Sequence, residues 1–314
     1  MKIIFLNNKI IDKAKWDDCI KNAPNGIIYA YSWYLDTVSK NWDALIFEDY
    51  SAVFPLTWKN KFGFKYLCQP PFSQQLGLFS RNIITPDTLQ AFLKEIINTN
   101  YKIIEINLNK YNKFVPVSLN PKANITYELD LIYPYENICK NFSENTQRNI
   151  NKASSNEVYL SKYIRADELI NMFRRNKGKD IATLGDKDFL ILKNIIEQSI
   201  KKNCGELWGA FDNNNELCAG AFFIQANGKV IFLFSAINKS GREKGAMFMV
   251  IDNFIRQNAE KPLILDFEGS NNENLGRFYK SFGAKKFEYY HINKNNLSFI
   301  ENRFYNLYKF VKYY

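Results

Sequence analysis

Histidine is almost missing from the chain: one residue, His291, in 314. A lone imidazole cannot build a His-rich metal centre. The five cysteines, at positions 19, 68, 139, 204 and 218, include no Cys-x-x-Cys pair for zinc or dithiol chemistry, so no metal is expected. An odd number of scattered thiols suits a reducing cytoplasm, where each serves as a small buried apolar side chain. Long apolar runs are also absent. The longest nearly apolar run, 230–237, has eight residues, whereas a spanning helix needs about 20. The N-terminal stretch 1–11 lacks the apolar core and small-residue cleavage site of a leader and reads as a first strand. No Gly-x-Ser-x-Gly elbow and no Cys/His pairing announces a covalent nucleophile.

What is present is ample apolar matter, 46% hydrophobic and 16% aromatic residues. That excludes a disordered chain and, at about 100 to 200 residues per domain, suggests two cores. Lys and Arg outnumber Asp and Glu by 42 to 32, a formal charge of +10. Net charge speaks to partners and solubility rather than fold. The chain also carries 39 Asn and abundant Lys, Ile, Tyr and Phe, the bias of an AT-rich genome. The excess concentrates in 140–179, net +5, and in 285–314, net +4.

Periodicity divides the chain into two successive α/β blocks. The first is expected to hold helices over 12–21, 32–39 and 86–99, a strand pair over 44–47 and 51–58, and a strand over 103–108. The second opens with a helix through 138–154, followed by a strand over 158–162 and helices over 166–176 and 186–202. An antiparallel meander of 207–212, 217–226 and 229–237 comes next, then a helix over 244–258, a strand over 263–268, a helix over 273–282 and a strand over 288–292. Apolar positions 297, 300, 304, 307, 308 and 311 share one face of a C-terminal helix.

Three segments carry candidate chemistry. The meander runs into Ser240-Gly241-Arg242-Glu243-Lys244-Gly245-Ala246 and an apolar helix. A helix N-terminus offers unpaired N–H groups and a positive dipole to a phosphate, although the same residues also suit an ordinary glycine turn. Strand 263–268 ends in Asp266-Phe267-Glu268-Gly269, followed by Asn272, Tyr279 and Gly283. Alternation puts Asp266 and Glu268 on one sheet face, and Glu268 is either a base for an amine or a loop-ordering group. The loop Gln69-Pro70-Pro71-Phe72-Ser73-Gln74-Gln75-Leu76-Gly77 combines amides able to read a polar ligand with a stiff apolar floor, or simply covers the first core.

In this order the segments resemble the GNAT acyltransferases. Arg242-x-x-Gly245-Ala246 resembles their pyrophosphate loop, with Met247 where the pattern ends in a small residue, and Asn272 with Tyr279 and Gly283 resembles their Asn and Tyr-x-x-x-Gly signature. Tyr31-Ser32-Trp33-Tyr34-Leu35 followed by Trp42, the strand Ala52-Val53-Phe54-Pro55-Leu56, the 68–77 loop, and Thr146-Gln147-Arg148-Asn149-Ile150-Asn151-Lys152-Ala153 resemble the FemAB-like branch, in which two GNAT-like domains stand in tandem. Asn149 and Asn151 dilute the basic residues usual after the arginine.

The resemblance implies an α/β (α+β) fold with an acceptor-side domain over 1–140, a donor-side domain over 141–292 and a helix over 293–314 packing back on the first. It implies a cytoplasmic N-acyltransferase that moves an acyl group from acyl-CoA to a small-molecule, amino-sugar or peptide amine by direct transfer. Tyr279 would be the acid and Glu268 the base. Ser240, Gly241, Arg242, Lys244, Gly245, Ala246 and Asn272 would hold the cofactor, and Trp33, Gln69, Phe72, Gln74, Gln75 and Arg148 the acceptor. Two alternatives stay open: aminoacyl-tRNA-dependent transfer to a peptidoglycan precursor, and a catalytically inactive GNAT-fold binding protein. The oligomeric state is open.

Overall fold

A computed structural model of the chain describes residues 2–61, 63–176, 184–269, 271–299 and 301–303. The chain forms two compact units. One comprises Met1–Asn25, Tyr29–Ala123 and Tyr289–Tyr314, the other Gly26–Ile28 and Asn124–Glu288. The crossing falls at 123/124, inside a strand, rather than at the expected 140. No helix among the described residues is long and apolar enough to cross a membrane.

The first unit contains β1 (Ile3–Asn7), α1 (Lys13–Asn22), α2 (Ser32–Val38), β2 (Trp42–Phe47), β3 (Ala52–Lys61), β4 (Phe64–Cys68), β5 (Phe79–Ser80), α3 (Pro86–Ile97) and β6 (Ile103–Asn107). Local chemistry sets the helix starts. The Asp12 carboxylate accepts the Ala14 and Lys15 N–H groups at 3.0 and 3.1 Å, and Thr85 caps α3 just ahead of Pro86. Leu89, Phe92, Leu93 and Ile96 line the buried face of α3, each worth about 1.5–3 kcal/mol of burial. Strands β1, β2, β3 and β4 pair antiparallel in that order, and β4 pairs parallel with β6.

The second unit contains β7 (Lys122–Asp130), α4 (Tyr135–Cys139), α5 (Glu144–Ser155), β8 (Tyr159–Ser161), α6 (Ala166–Asn176), α7 (Asp186–Lys201), β9 (Gly205–Phe211), β10 (Leu217–Ala226), β11 (Lys229–Ile237), α8 (Lys239–Lys244), α9 (Ala246–Asn258), β12 (Ile264–Asp266), α10 (Glu273–Lys280) and the start of β13 (Lys285–Asn295). Its sheet runs β7, β12, β11, β10, β9, β8. Only β11 and β12 pair parallel within that order.

The helix expected through 138–154 is two helices. Ser143 stands as an N-cap accepting the Thr146 N–H at 3.2 Å, so a new helix starts there. The helix expected from 244 is likewise interrupted, with Gly245 at φ +75° between α8 and α9. Two of the cysteines, Cys19 and Cys218, are buried, while Cys68, Cys139 and Cys204 are only half-buried.

Strand β13 is longer than expected, and its part from Tyr289 onward belongs to the first unit, where it pairs antiparallel with β6 and sets His291 opposite Asn107. It runs to Asn295, where a helix was expected from 293. Beyond it, Lys102 Nζ lies 3.1 Å from Glu301 Oε1. The rest of the expected tail helix, from 304, lies outside the described residues.

Three neighbouring strands of the second unit share one buried charge cluster. Lys229 Nζ on β11 is 2.6 Å from Glu128 Oε1 on β7 and 3.1 Å from Asp266 Oδ2 on β12, and all three side chains are nearly inaccessible. Asp266 Oδ1 also accepts the Thr126 hydroxyl at 2.7 Å and the Glu268 N–H at 2.9 Å. Burial alone would lower the ammonium's pKa, but the two carboxylates outweigh it and hold it above 10.5. The stabilisation is therefore complete below about pH 10.5 and declines as pH rises through the higher folded value. Lys229→Met should destabilise the protein by ~3–5 kcal/mol, because two carboxylates are left buried without a counter-ion. In urea melts the variant should regain stability as pH falls and the carboxylates protonate. Unchanged stability at pH 7 would contradict the assignment.

Candidate active site

Beyond that cluster, β11 and β12 part. They pair only at Lys229, Val230 and Ile231 with Ile264, Leu265 and Asp266. Past Asp266 the chain stays with β7: Phe267 N–H donates to Tyr127 O at 2.9 Å, and Tyr127 N–H to Glu268 O at 3.3 Å. Strand β11 continues to Ile237 with β10 on its other side. Along 232–237 it thus presents an edge that β12 does not cover. A β-bulge falls in the same stretch, with Phe222 opposite Phe234 and Phe223 opposite Phe232, so that Leu233 is the extra residue. Bulges re-aim local backbone groups and recur beside active sites.

Glu268 and Tyr279 sit where the strands separate. The alternation expected to place Asp266 and Glu268 on one face does not reach Glu268, because β12 ends at Asp266 and Glu268 takes φ +59°. The turn follows from Asp266 Oδ1 accepting the Glu268 N–H. Asp266 belongs to the buried cluster, whereas Glu268 is half-buried. Tyr279, on α10, is buried and stacks on Phe267, with centroids 5.1 Å apart, and lies 6.0 Å from the Tyr127 ring. Burial pushes its phenol above the ordinary value of 10, and the Glu268 and Asp266 carboxylates push the same way. Tyr279 therefore stays protonated at neutral pH and can donate a hydrogen bond, but it yields its proton less readily than an exposed tyrosine. Asn272 caps α10, accepting from Asn274 and Leu275 N–H at 2.9 and 3.3 Å.

The 240–246 segment is a short helix and a left-handed residue rather than an open loop. Asn238 caps α8 by accepting the Gly241 N–H at 2.8 Å. Gly241 packs so closely that an added Cβ would lie 2.2 Å from Cys218 O. Ser240 Oγ lies 3.3 Å and Lys244 Nζ 3.1 Å from Asp212 Oδ2, which commits that lysine to a carboxylate. Arg242 is exposed. The thirteen-residue α9 has no side-chain cap, and its first residue, Ala246, is buried. Met247 is spent on the core. Arg148 is exposed on α5, the helix whose Asn149 carbonyl packs against Gly245.

In the first unit, α2 and the 69–77 loop meet. The Tyr34 hydroxyl donates to the Phe72 carbonyl, and Phe72 takes φ +55°, an uncommon conformation for an aromatic residue. Trp33, half-buried, lies 5.4 Å from the Tyr34 ring. Two of the three expected acceptor-reading amides are used to order backbone. Gln69 Nε2 donates to Ser73 O at 2.5 Å and its Oε1 accepts Asn107 N–H at 2.9 Å. Gln75 is buried, with Oε1 accepting Lys110 N–H at 3.0 Å and Nε2 donating to Gln74 Oε1 at 2.8 Å. Gln74 keeps its NH2 without a partner among the described residues. Cys68, where the loop begins, is held as a thiol by burial, which pushes its pKa up to about 11.

Sequence reasoning missed Lys229, Glu128, Asn107 and the placement of His291. A Lys at a strand start is unremarkable in sequence, and Asn107 and His291 are 184 positions apart.

No family model matches the chain, and no curated protein matches it significantly. Solved structures do. The crystal structure of FemX superposes with a TM-score of 0.68 at 14% identity, over 98% of this chain and 99% of that one. A conserved protein of unknown function from Bacteroides thetaiotaomicron VPI-5482 gives 0.59 at 11%, over 93% and 99%. At these identities the likeness shows the fold, and the fold is the FemAB-like one that the motifs suggested.

Gly245→Ala tests the turn. A Cβ at φ +75° would lie 2.5 Å from the Asn149 carbonyl oxygen, and the left-handed backbone alone costs about 1–2 kcal/mol for a non-glycine residue. The variant should lose at least that much in chemical denaturation. A neutral result would mean that the turn is shaped differently.

Proposed function

We propose that the chain is an N-acyltransferase that moves an acyl group from a thioester carrier, acyl-CoA, to an amine by direct transfer. The observation that carries this reading is the parting of β11 from β12 beside Tyr279 and Glu268. An uncovered strand edge accepts an extended ligand bearing amides by backbone pairing, and the pantetheine arm of CoA has that chemistry. The donor side would be the second unit, with the first turn of α9 as phosphate site and Arg242 and Arg148 as nearby cations. Ser240, Gly241, Gly245 and Ala246 would shape that turn, with Lys244 tied to Asp212 and Asn272 capping α10. A metal has no part in this chemistry.

Direct transfer needs an amine held in attack geometry, a group to take its proton and donors toward the developing oxyanion. Glu268 supplies the carboxylate base. Tyr279, held protonated, donates toward the departing sulfur, and β11 backbone N–H groups near the bulge serve the oxyanion. On the acceptor side, Trp33, Phe72 and Gln74 contact the amine substrate, while Gln69 and Gln75 keep the loop in shape.

A second reading, aminoacyl-tRNA-dependent transfer to a peptidoglycan precursor, is favoured by one observation. The salt bridge to Asp212 withdraws Lys244 from phosphate binding, which weakens the case for CoA. The two readings separate in a thermal-shift panel of acetyl-CoA, longer acyl-CoAs and charged tRNA, since a ligand of the folded state raises Tm. The first expects a CoA-dependent rise. The second expects a rise with tRNA that fades steeply with salt. No rise with any of them would favour an inactive binding protein. With the donor found, Glu268→Gln and Tyr279→Phe should each lower kcat by roughly 10²–10⁴-fold at unchanged Tm. Full turnover in either variant would remove that residue's role.

A further inference from the structure

The hydrogen bonds around Asn107 fix the state of the chain's single histidine. Asn107 Nδ2 is 2.9 Å from the Gln74 carbonyl oxygen, which can only accept, so the amide NH2 must point there. Asn107 Oδ1 is then the atom 2.9 Å from His291 Nδ1. An amide oxygen also only accepts, so Nδ1 bears the proton, and in the neutral ring Nε2 is left with the lone pair. Asn107 has little freedom to turn. Its N–H is taken by Gln69 Oε1, its C=O accepts Leu76 N–H at 2.9 Å, and its Cα partner across the β6–β13 ladder is His291 itself.

Three further features of the same unit adjoin this relay. Ser73, whose carbonyl is bound by the same Gln69, has a buried hydroxyl with no partner among the described residues. Gln74, whose carbonyl orients Asn107, has an unengaged NH2 beside the left-handed Phe72. His291 Nε2 likewise has no hydrogen-bond partner among the described residues. Buried hydroxyls are normally satisfied, which marks Ser73 Oγ as a polar atom with hydrogen-bonding capacity to offer a ligand. Burial lowers the histidine's pKa below 6.5, with Glu105 on β6 opposing and Lys122 at the start of β7 assisting, so the ring is neutral at pH 7.

We propose that the first unit holds an acceptor-binding site in which His291 Nε2 takes a hydrogen bond from the substrate amine, with Ser73 Oγ and Gln74 Nε2 contacting the polar groups beside it. This rests on the acyl-transfer reading for the identity of the ligand, and on hydrogen-bond geometry for the site. An acceptor atom selects ligands that bring an N–H or O–H donor, and a tautomer locked from behind keeps that selection constant across the neutral range.

With only one histidine, 15N-histidine labelling of the full chain gives one imidazole in the NMR spectrum. Long-range 1H–15N correlation at pH 7 should show Nδ1 protonated and Nε2 bare, and Asn107→Leu should shift the ratio toward the Nε2–H form. An Nε2–H ring or an imidazolium in the wild type would overturn the proposal. Glucosamine and Nα-acetyl-lysine methylamide should each move the Nε2 resonance, and more than 2-deoxyglucose and Nα-acetyl-norleucine methylamide, which lack the amine. No movement, or equal movement by the forms without the amine, would overturn it as well. Once turnover is measurable, His291→Gln should raise KM for the amine about tenfold and leave donor binding unchanged, and an unchanged KM would overturn this inference while leaving acyl transfer standing. If no donor supports turnover, the acyl-transfer reading falls, and the NMR arms still decide whether the site is there.

Discussion

One buried ammonium ties together the three strands of the second unit beside which the candidate site lies. Lys229 reaches from β11 to carboxylates on β7 and β12, and the strands stay in register only as far as that contact. Past it, β12 hands its chain to β7 and β11 goes on alone. The gap is thus not a weakness in the sheet. It begins at a clamp whose charges are satisfied on every side, since Asp266 uses one oxygen for Lys229 and the other for Thr126 and Glu268. A splayed pair of strands without such an anchor would tend to zip closed, because unpaired backbone groups favour pairing.

The same clamp connects structure to reactivity. Asp266 is itself withdrawn from solvent, yet its second oxygen, shared with Thr126, fixes the backbone of Glu268 in a left-handed turn and lifts that carboxylate out of the strand. Burial and these two carboxylates keep the Tyr279 phenol protonated. A carboxylate and a phenol already differ in protonation at neutral pH by residue type, and burial at Tyr279 widens that difference.

The sequence made the fold legible because strong periodicity and helix signals survive translation into structure. The buried stripe of α3 and the meander of β9, β10 and β11 follow directly from apolar spacing. Strand β7 was not legible: Thr126, Tyr127, Glu128 and Leu129 are all buried, so the two-residue alternation that marks a half-exposed strand is erased. The candidate site was legible only in part. Tyr279 and the Gly245 turn come from local motifs, but the use of Gln69 and Gln75 as loop braces depends on backbone groups far along the chain. Alternation also failed at Glu268, because a side-chain acceptor two residues earlier overrode the strand. Side-chain contacts to backbone, whether two residues away or far along the chain, leave no mark in hydrophobic periodicity.

Strand β13 bears on how the molecule comes into being. Strand β6 ends at Asn107, but its neighbour on one side is β13, which begins at Lys285. Every residue of the second unit from Asn124 to Glu288 lies between them in the chain. During synthesis the second unit can close while β6 still shows an open edge, and β13 joins β6 only after the second unit has been made. The pairing that seats His291 is therefore a late, long-range closure, the class of contact that costs the most chain entropy and forms most slowly.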